Sequence, residues 1–141
     1  MTSQSPLDRF VLLQFESGLR ELQHELQCAI EKSEKEIREF AESGPLDAVD
    51  ISCFNSSKES MFARTSRNRG QLRLVQLALE RIRNGSFGIC ATCEGTIGLK
   101  RLQAVPWARH CIECQHQSEH GKTGQSSFRS FPAGFPQEST L

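Results

Sequence analysis

The chain has 141 residues, 37% of them hydrophobic, and its mean hydropathy of −0.45 lies on the polar side for a globular protein. That length fits one ordinary domain, or a small domain with an extension. The longest early apolar run, Phe10 to Leu13, has four residues, which argues against a membrane span or a signal peptide. We therefore expect a cytoplasmic protein without a membrane partner, in a reducing compartment where cysteine pairs usually bind metal.

The net charge of zero conceals a strong asymmetry along the chain. Residues 1–50 carry 5 basic and 11 acidic side chains, residues 51–110 carry 10 basic and 3 acidic, and residues 111–141 carry 2 basic and 3 acidic. An acidic half followed by a basic half predicts two elements that lie against each other, or a basic surface directed at nucleic acid. The apolar periodicity favours the first interpretation.

The first predicted element is a long helix that starts with Ser5 as N-cap and Pro6 in its first position, and stops at Gly44-Pro45. Its apolar residues recur in steps of three and four, with one extra step of four, which is the spacing of a coiled-coil seam. They are Leu12, Phe15, Leu19, Leu22, Leu26, Ile30, Ile37 and Phe40. Such a stripe requires a partner helix.

The second predicted helix supplies that partner and stops at Asn84-Gly85. Its seam shows the same steps, with two polar members near its middle: Met61, Thr65, Asn68, Leu72, Val75, Leu79 and Ile82. Two long helices joined by a turn of about ten residues fold back on each other. We therefore predict an antiparallel coiled-coil hairpin, an arm of about 45 Å at 1.5 Å per residue.

Four cysteines form two pairs in the pattern C-x2-C-x17-C-x2-C, at Cys90, Cys93, Cys111 and Cys114. Each pair can fold into a tight turn that presents two thiolates, and the loop between them lets the second turn complete a tetrahedron at about 2.3 Å per Zn–S bond. Because sulfur fills all four positions, no place remains for a catalytic water, and the pattern predicts one structural Zn²⁺. Two redox dithiols or two disulfides are the alternatives.

The residues around these pairs agree with a small zinc module at the base of the arm. Gly88 precedes the first pair and Gly95 follows it, where the chain must turn sharply under the metal. Apolar residues between the pairs would pack the module against the arm: Ile97, Leu99, Leu102, Val105 and Trp107. The remaining cysteines, Cys28 and Cys53, would be free thiols.

Acidic residues mark the turn between the two predicted helices. Asp47 and Asp50 lie three residues apart, and Glu42 comes just before them. Carboxylates near a helix start often serve only as caps, because the helix dipole favours negative charge there. At the end of a long arm they would also bring negative charge into a deep, narrow place, where they can pair with arginine or lysine or influence bound magnesium.

Three stretches of the chain resemble the DksA/TraR family of bacterial transcription factors, which bind RNA polymerase. They are Asp47-x-x-Asp50-x-Ser52, Ser86-Phe87-Gly88-Ile89-Cys90-x-x-Cys93, and Ile97-Gly98-x-x-Arg101-Leu102-x-Ala104-x-Pro106 ahead of Cys111-x-x-Cys114. The resemblance runs from about Leu12 to His116. It implies a coiled-coil hairpin on a C4 zinc module, with the four paired cysteines as zinc ligands.

The same resemblance implies a function that makes no covalent change. Family members insert the arm into the polymerase secondary channel, and its tip, here Asp47 and Asp50, acts near the active site to alter open-complex stability. Ser52 stands where the family usually has alanine. Leu74 and Gln115 stand where family members use lysines to bind the alarmone ppGpp. Since neither is basic, the expected ppGpp response is weak or absent.

The predicted organisation is a mostly α protein in three parts. Residues 6–84 form the hairpin, with its tip at 44–54, and residues 85–117 form the C4 module. Residues 118–141 are rich in Ser, Gly, Gln and Pro and are predicted to be a disordered tail. Phenylalanines spaced through it are either a short docking motif or without a role: Phe128, Phe131 and Phe135.

Two other functions compete with regulation of polymerase. Gre factors enter the same channel and aid transcript cleavage with acidic residues that help to hold magnesium, but the likeness to them lies only in the hairpin shape. Direct DNA binding is the second, because GATA-type fingers share the x17 loop. The segment from Leu99 to His110 offers only Lys100, Arg101 and Arg109 for phosphate contacts, so direct DNA binding is not favoured.

Overall fold

The structure, a computed structural model, describes residues 6–44 and 48–121. Within these residues, four helices follow one another: α1 over Arg9–Ser43, α2 over Ala48–Arg83, α3 over Leu99–Ala104 and α4 over Ile112–His120. Within the described residues, β pairing is limited to one bridge, between Ile89 and Thr96. None of these helices is long and apolar enough to cross a membrane. The predicted, mostly α fold class is confirmed.

Helices α1 and α2 pack against each other as the predicted antiparallel hairpin. The pairing is visible at two levels of the arm, where Glu36 faces Arg64 and Phe40 stacks on Phe54, so that numbers rise along one helix as they fall along the other. At 1.5 Å per residue, the 36 residues of α2 form an arm of about 54 Å. This is somewhat longer than predicted.

The start of α1 differs from the prediction. The helix begins at Arg9 with Asp8 as N-cap, and no side-chain hydrogen bond caps it. Pro6 therefore lies outside the helix, and the proposed cap Ser5 lies outside the described residues. The reason is tertiary, because Leu7 packs against the core and lies over Gly88 of the cysteine-bearing module. The segment before α1 thus closes over that module.

The connection between the long helices is shorter than the predicted turn of about ten residues. Helix α1 ends at Ser43, as expected from the Gly44-Pro45 stop, and Gly44 has a positive φ of 61°. Helix α2 already begins at Ala48, so most of the predicted tip is its first two turns. Nothing after Pro45 prevents helix formation there, and Asp50 in the first turn is favoured by the helix dipole. The stacked rings of Phe40 and Phe54, 4.4 Å apart, join the two helices just behind the turn.

One apolar core joins the base of the arm to the module that follows it. Its largest fully buried side chains come from α1, α2 and the module: Leu19, Val75, Phe87, Cys90 and Leu102. The rings of Phe15 in α1 and Phe87 in the module lie 5.4 Å apart. Each fully buried large apolar side chain contributes about 1.5–3 kcal/mol. The module and the arm base are therefore expected to fold together.

The packing of the loop between the cysteine pairs follows the prediction with one exception. Ile97 and Leu102 are buried, and Val105 and Trp107 are partly buried against the same core. Leu99 instead remains 43% exposed. It is the first residue of the short helix α3.

The middle of the arm buries two polar side chains. Thr65 is buried, as its place in the seam predicts, and its Oγ1 donates to the carbonyl oxygen of Met61 at 2.9 Å. Ser33 of α1 is buried as well, which the apolar pattern did not indicate. No buried side-chain nitrogen or oxygen in the described part lacks a hydrogen bond, so this layer does not carry an unsatisfied group.

Candidate functional site

The first cysteine pair lies in a tight turn that begins after Phe87. The amide of Cys90 donates to the carbonyl of Gly95 at 2.7 Å, and the amide of Glu94 donates back to the carbonyl of Cys90 at 3.1 Å. These bonds close a loop around the side chain of Cys93. Glu94 has a φ of 59°, a left-handed conformation that costs about 1–2 kcal/mol for a residue with a Cβ. The backbone hydrogen bonds of the turn therefore offset a local backbone strain.

Two glycines permit this turn, for different reasons. Gly88 has a φ of 81°, and a Cβ there would lie 3.3 Å from Leu7. Gly95 has no positive φ, but a Cβ on it would lie 3.3 Å from the Sγ of Cys93. The first glycine allows the backbone conformation and the second leaves room for a thiol. The sequence prediction of glycine-dependent turns at these positions agrees with this geometry.

The second cysteine pair uses the start of a helix. Cys111 is the N-cap of α4, and its Sγ accepts from the amide of Cys114 at 3.5 Å. The amide of Gln115 donates to the carbonyl of Cys111 at 3.0 Å, the first backbone bond of the helix. The first turn of α4 therefore fixes the position of the Cys111 side chain beside Cys114.

The fold brings all four thiols together. The Sγ atoms of Cys90, Cys93, Cys111 and Cys114 lie within 4.8 Å of one another, and no other group of three or more possible ligands occurs in residues 6–44 and 48–121. The Sγ atoms of Cys93 and Cys111 are 3.8 Å apart. A tetrahedron with Zn–S bonds of about 2.3 Å has edges of about 3.8 Å. All six cysteines are free of disulfides. The donor set therefore fits a tetrahedral metal ion such as Zn²⁺.

The thiols without metal have unequal proton affinities. Burial raises the pKa of Cys90, but the amides of Cys93, Cys111 and Thr92 outweigh it and lower that pKa to about 5. The Gly95 amide lowers the pKa of Cys93, yet hydrogen bonds shared with the Cys90 and Cys111 thiols raise it overall. The hydrogen bond with Cys111, and then burial, raise the pKa of Cys114 to about 12. A metal ion would have to displace protons from Cys93 and Cys114.

Backbone carbonyls near the cluster are fixed by two arginines. Arg81, in the last turn of α2, donates to the carbonyl of Ser86 at 3.0 Å and to that of Ile89. Arg101 of α3 donates to the carbonyl of His110 at 2.9 Å. Each guanidinium thus holds the chain directly before one cysteine pair. The sequence analysis did not single out Arg81. Its position near the end of α2, two residues before Arg83, was the one feature of the sequence that could have indicated it.

With a tetrahedral metal ion bound, this cluster would hold structure. Four sulfur donors complete a tetrahedron and leave no position for water or substrate. Cys90 is buried in the shared core, so an ion bound there would fasten the module to the base of the arm. The predicted site residues at the opposite end of the arm do not reach the cluster.

At that opposite end the structure places two of the three predicted tip residues. Asp50 and Ser52 are exposed on the first two turns of α2, and Cys53 beside them is exposed as well. Asp47 lies outside the described residues. From Asp50 to Arg83 the helix rises about 50 Å at 1.5 Å per residue. The acidic end of α2 and the cysteine cluster therefore lie at opposite ends of the arm.

The positions that the family resemblance associates with ppGpp lie on separate helices. Leu74 is partly buried on α2, and Gln115 is partly buried on α4. The side-chain amide Nε2 of Gln115 donates to the Oε1 of Glu119 at 2.6 Å. The chain thus presents an apolar side chain and an amide at these two positions, and neither can neutralise a phosphate.

Comparison with known proteins gives consistent matches. The model described as the prokaryotic dksA/traR C4-type zinc finger matches residues 85–120. An uncharacterized protein of Aquifex aeolicus is 35% identical over 95 residues, covering 67% of this chain and 66% of that protein. The RNA polymerase-binding transcription factor DksA of Buchnera aphidicola from Acyrthosiphon pisum is 30% identical over 112 residues, covering 77% of this chain and 71% of that protein.

A solved structure extends the similarity beyond the module. Transcription factor DksA2 from Pseudomonas aeruginosa superposes with a TM-score of 0.73 at 28% sequence identity. The superposition covers 83% of this chain and 89% of DksA2. The similarity therefore includes the helical hairpin as well as the cysteine-bearing module.

Proposed function

The chain belongs to the DksA/TraR family, and on that premise we propose that it regulates transcription by binding bacterial RNA polymerase in the cytoplasm. The observation that carries the proposal is the joint match of module and arm to DksA proteins, one of them named as RNA polymerase-binding. The proposed mode of action is binding alone, without an enzymatic reaction. The four-thiol cluster supports this, because it offers no open coordination position.

The first part of the proposal concerns the metal. Cys90, Cys93, Cys111 and Cys114 would hold one Zn²⁺, which supplies four bonds between two segments of chain and no catalysis. The fit rests on the distance of 3.8 Å between the Sγ atoms of Cys93 and Cys111. Around the ion, the chain's own groups do the positioning: Arg81 and Arg101 hold the carbonyls ahead of each pair. We divide the chain accordingly into a hairpin at 6–84 and a module at 85–117, with α4 continuing to His120.

The second part concerns the tip. We propose that the arm enters the polymerase secondary channel and that Asp47, Asp50 and Ser52 act near the active site to alter open-complex stability. The supporting observations are the length of the arm, about 54 Å, and the exposure of Asp50 and Ser52 at its far end. Asp50 also lies in the first turn of α2, where it stabilises the helix dipole. A role as cap and a role in regulation are compatible, and the tip experiment in the Discussion separates them.

The third part concerns ligands. We propose that ppGpp has a weak or absent effect on this protein, because Leu74 and Gln115 offer no positive charge. Direct binding to DNA is not part of the proposed function. On the module, Arg101 is engaged with the carbonyl of His110, which reduces an already small basic surface.

Binding and orientation can be tested in one experiment. The full chain, carrying a photo-crosslinking amino acid at the exposed Ser56 near the tip or at the exposed Ser118 on α4, is mixed with core RNA polymerase. The proposal predicts a stable complex, with crosslinks from position 56 to subunit segments that line the secondary channel and crosslinks from position 118 outside it. Absence of a complex, or channel crosslinks from position 118 alone, would refute the proposal.

The Gre-like alternative is tested on the same complexes. Backtracked elongation complexes are incubated with the chain, and the transcripts are resolved by length. Regulation without chemistry predicts no stimulation of transcript cleavage. Stimulated cleavage that is lost with Asp50→Asn would favour the cleavage function.

A further inference from the structure

We propose that His116 and His120 on α4 form a second metal site, which binds a divalent transition-metal ion such as Ni²⁺ or Zn²⁺ independently of the four thiols. The two residues are one helical turn apart, and this is the only pair of histidines in the sequence with an i, i+4 spacing. On a helix, side chains at that spacing lie on one face, one above the other. The pair is therefore a ready bidentate arrangement.

The orientation of the two rings supports the proposal. Their centroids are 6.1 Å apart and their planes differ by 11°. Two imidazoles bound to one ion at about 2.0–2.1 Å require centroids about 4.5–5.2 Å apart, depending on the angle at the metal. A rotation of both side chains would close the difference of about 0.9–1.6 Å. Both residues are exposed, so nothing buried has to be rearranged.

The proposed site faces away from the cysteine cluster. At 100° per residue, His116 and His120 lie about 140–180° around α4 from Cys111, which contributes to the cluster. Water can fill the coordination positions that the two imidazoles leave open. The two sites therefore do not share a donor atom.

Imidazole nitrogen determines the class of ion. This donor suits zinc, copper and nickel, whereas calcium and magnesium prefer oxygen ligands. Affinity for such a pair follows the general order in which nickel exceeds cobalt and manganese. The other two histidines occur in different settings, since His24 lies 3.7 Å from the Sγ of Cys28 and His110 lies 3.1 Å from the hydroxyl of Thr92.

The test uses the full chain loaded with one equivalent of Zn²⁺ and titrated with Ni²⁺ by calorimetry. We expect one further binding event. His120→Ala should weaken it about tenfold or more, because the ion then lacks the second imidazole that the helix holds close to the first. Residues 122–141 contain no histidine or cysteine, so they do not add competing ligands of these types. The side-chain nitrogen resonances of His116 and His120 should broaden first as paramagnetic Ni²⁺ is added.

Two control variants keep the test decisive. The double variant H120S/S118H retains the number of histidines but places them on different faces, so it should lose the affinity as His120→Ala does. His24→Ala should leave binding unchanged. Nickel binding that persists in the double variant, or that depends on His24, overturns the proposal. So does a titration that shows no second event or shows Zn²⁺ released from the thiols.

Discussion

The Sγ atoms of Cys93 and Cys111 lie 3.8 Å apart, although 17 residues separate them along the chain. Cys93 belongs to a turn stabilised by backbone bonds around Cys90, whereas Cys111 caps α4. The loop that joins them buries Ile97 and Leu102 in the core that also contains Leu19. The thiol cluster is therefore continuous with the base of the arm, and the predictions below follow from that continuity and from the distant acidic tip.

The first prediction is that zinc binds at one equivalent and stabilises the arm base together with the module. Replacing Cys93 with Ser removes one ligand, and because metal binding is coupled to folding the loss should be about 4 kcal/mol or more. Thermal unfolding followed by circular dichroism measures the loss of stability, and elemental analysis measures the zinc content. The control Cys28→Ser changes an exposed thiol outside the cluster and should alter stability by less than about 0.5 kcal/mol. A zinc-free protein purified in reducing buffer would contradict the prediction.

The second prediction concerns the pH dependence of zinc affinity. In the absence of metal the pKa values of Cys93 and Cys114 are raised, that of Cys114 to about 12, so both thiols carry protons at neutral pH. Zinc must displace at least these two protons, so its apparent affinity should rise with pH by at least about 100-fold per unit. Below the pKa of about 5 at Cys90, a further proton competes and the dependence becomes steeper. Chelator competition at several pH values measures this slope, and a pH-independent affinity would be inconsistent with four thiol ligands.

The third prediction concerns Arg81. Its guanidinium donates to the carbonyls of Ser86 and Ile89, so Arg81→Gln removes two partly buried hydrogen bonds and should destabilise the protein by about 1–3 kcal/mol. Arg83→Gln is the matched control, because it removes a charge from the same last turn of α2 at an exposed position. Its cost should stay near about 0.5 kcal/mol. Equal losses in denaturant unfolding would show that the helix dipole, and not the two carbonyls, explains the effect of Arg81.

The fourth prediction concerns the charge asymmetry of the two long helices. Arg64 pairs with Glu36 at 3.2 Å and Arg69 pairs with Glu34 across the hairpin, all at exposed or half-exposed positions. Each such pair contributes about 0.2–1 kcal/mol and is screened by salt. A double-mutant cycle with Glu34→Gln and Arg69→Gln should give a coupling in that range, and thermal stability should fall modestly with sodium chloride. A clear rise with this salt, reproduced with a second salt, would argue against mutual pairing.

Much of this architecture was accessible from the sequence, because its signals are local and repetitive. The steps of three and four through Leu19 and Val75 specify two helices, and the Gly44-Pro45 stop places the turn. The spacing of the cysteines likewise predicts a cluster without knowledge of the fold. In each case the spacing of residues along the chain agrees with the contacts in the folded protein.

The remaining features depend on contacts between distant parts of the chain. Helix α1 starts at Arg9 and not at Pro6 because Leu7 packs near Gly88, which no local pattern indicates. The turn between α1 and α2 is shorter than predicted because α2 already begins at Ala48. Acidic residues, which indicated a turn, also suit the first turn of a helix. Ser33 is buried although its residue type is usually exposed. The left-handed conformation of Glu94 has no signal in its residue type.

The central claim is that the carboxylates of the tip produce the regulatory effect while the rest of the arm supplies binding. The variant in which Asp47 and Asp50 are both Asn retains the size of both side chains and much of their capping ability, but removes two negative charges. Binding to RNA polymerase should therefore survive this change. Helix content should also be close to that of the parent, which circular dichroism verifies.

The most direct measurement is the lifetime of open complexes at a sensitive promoter, challenged with a competitor, in the presence of the parent chain or of this variant at saturating concentration. The account predicts that the parent changes the lifetime and that the D47N/D50N variant, although bound, largely fails to do so. If the bound variant alters the lifetime as strongly as the parent, the tip carboxylates serve only as helix caps, and the proposed mechanism is wrong.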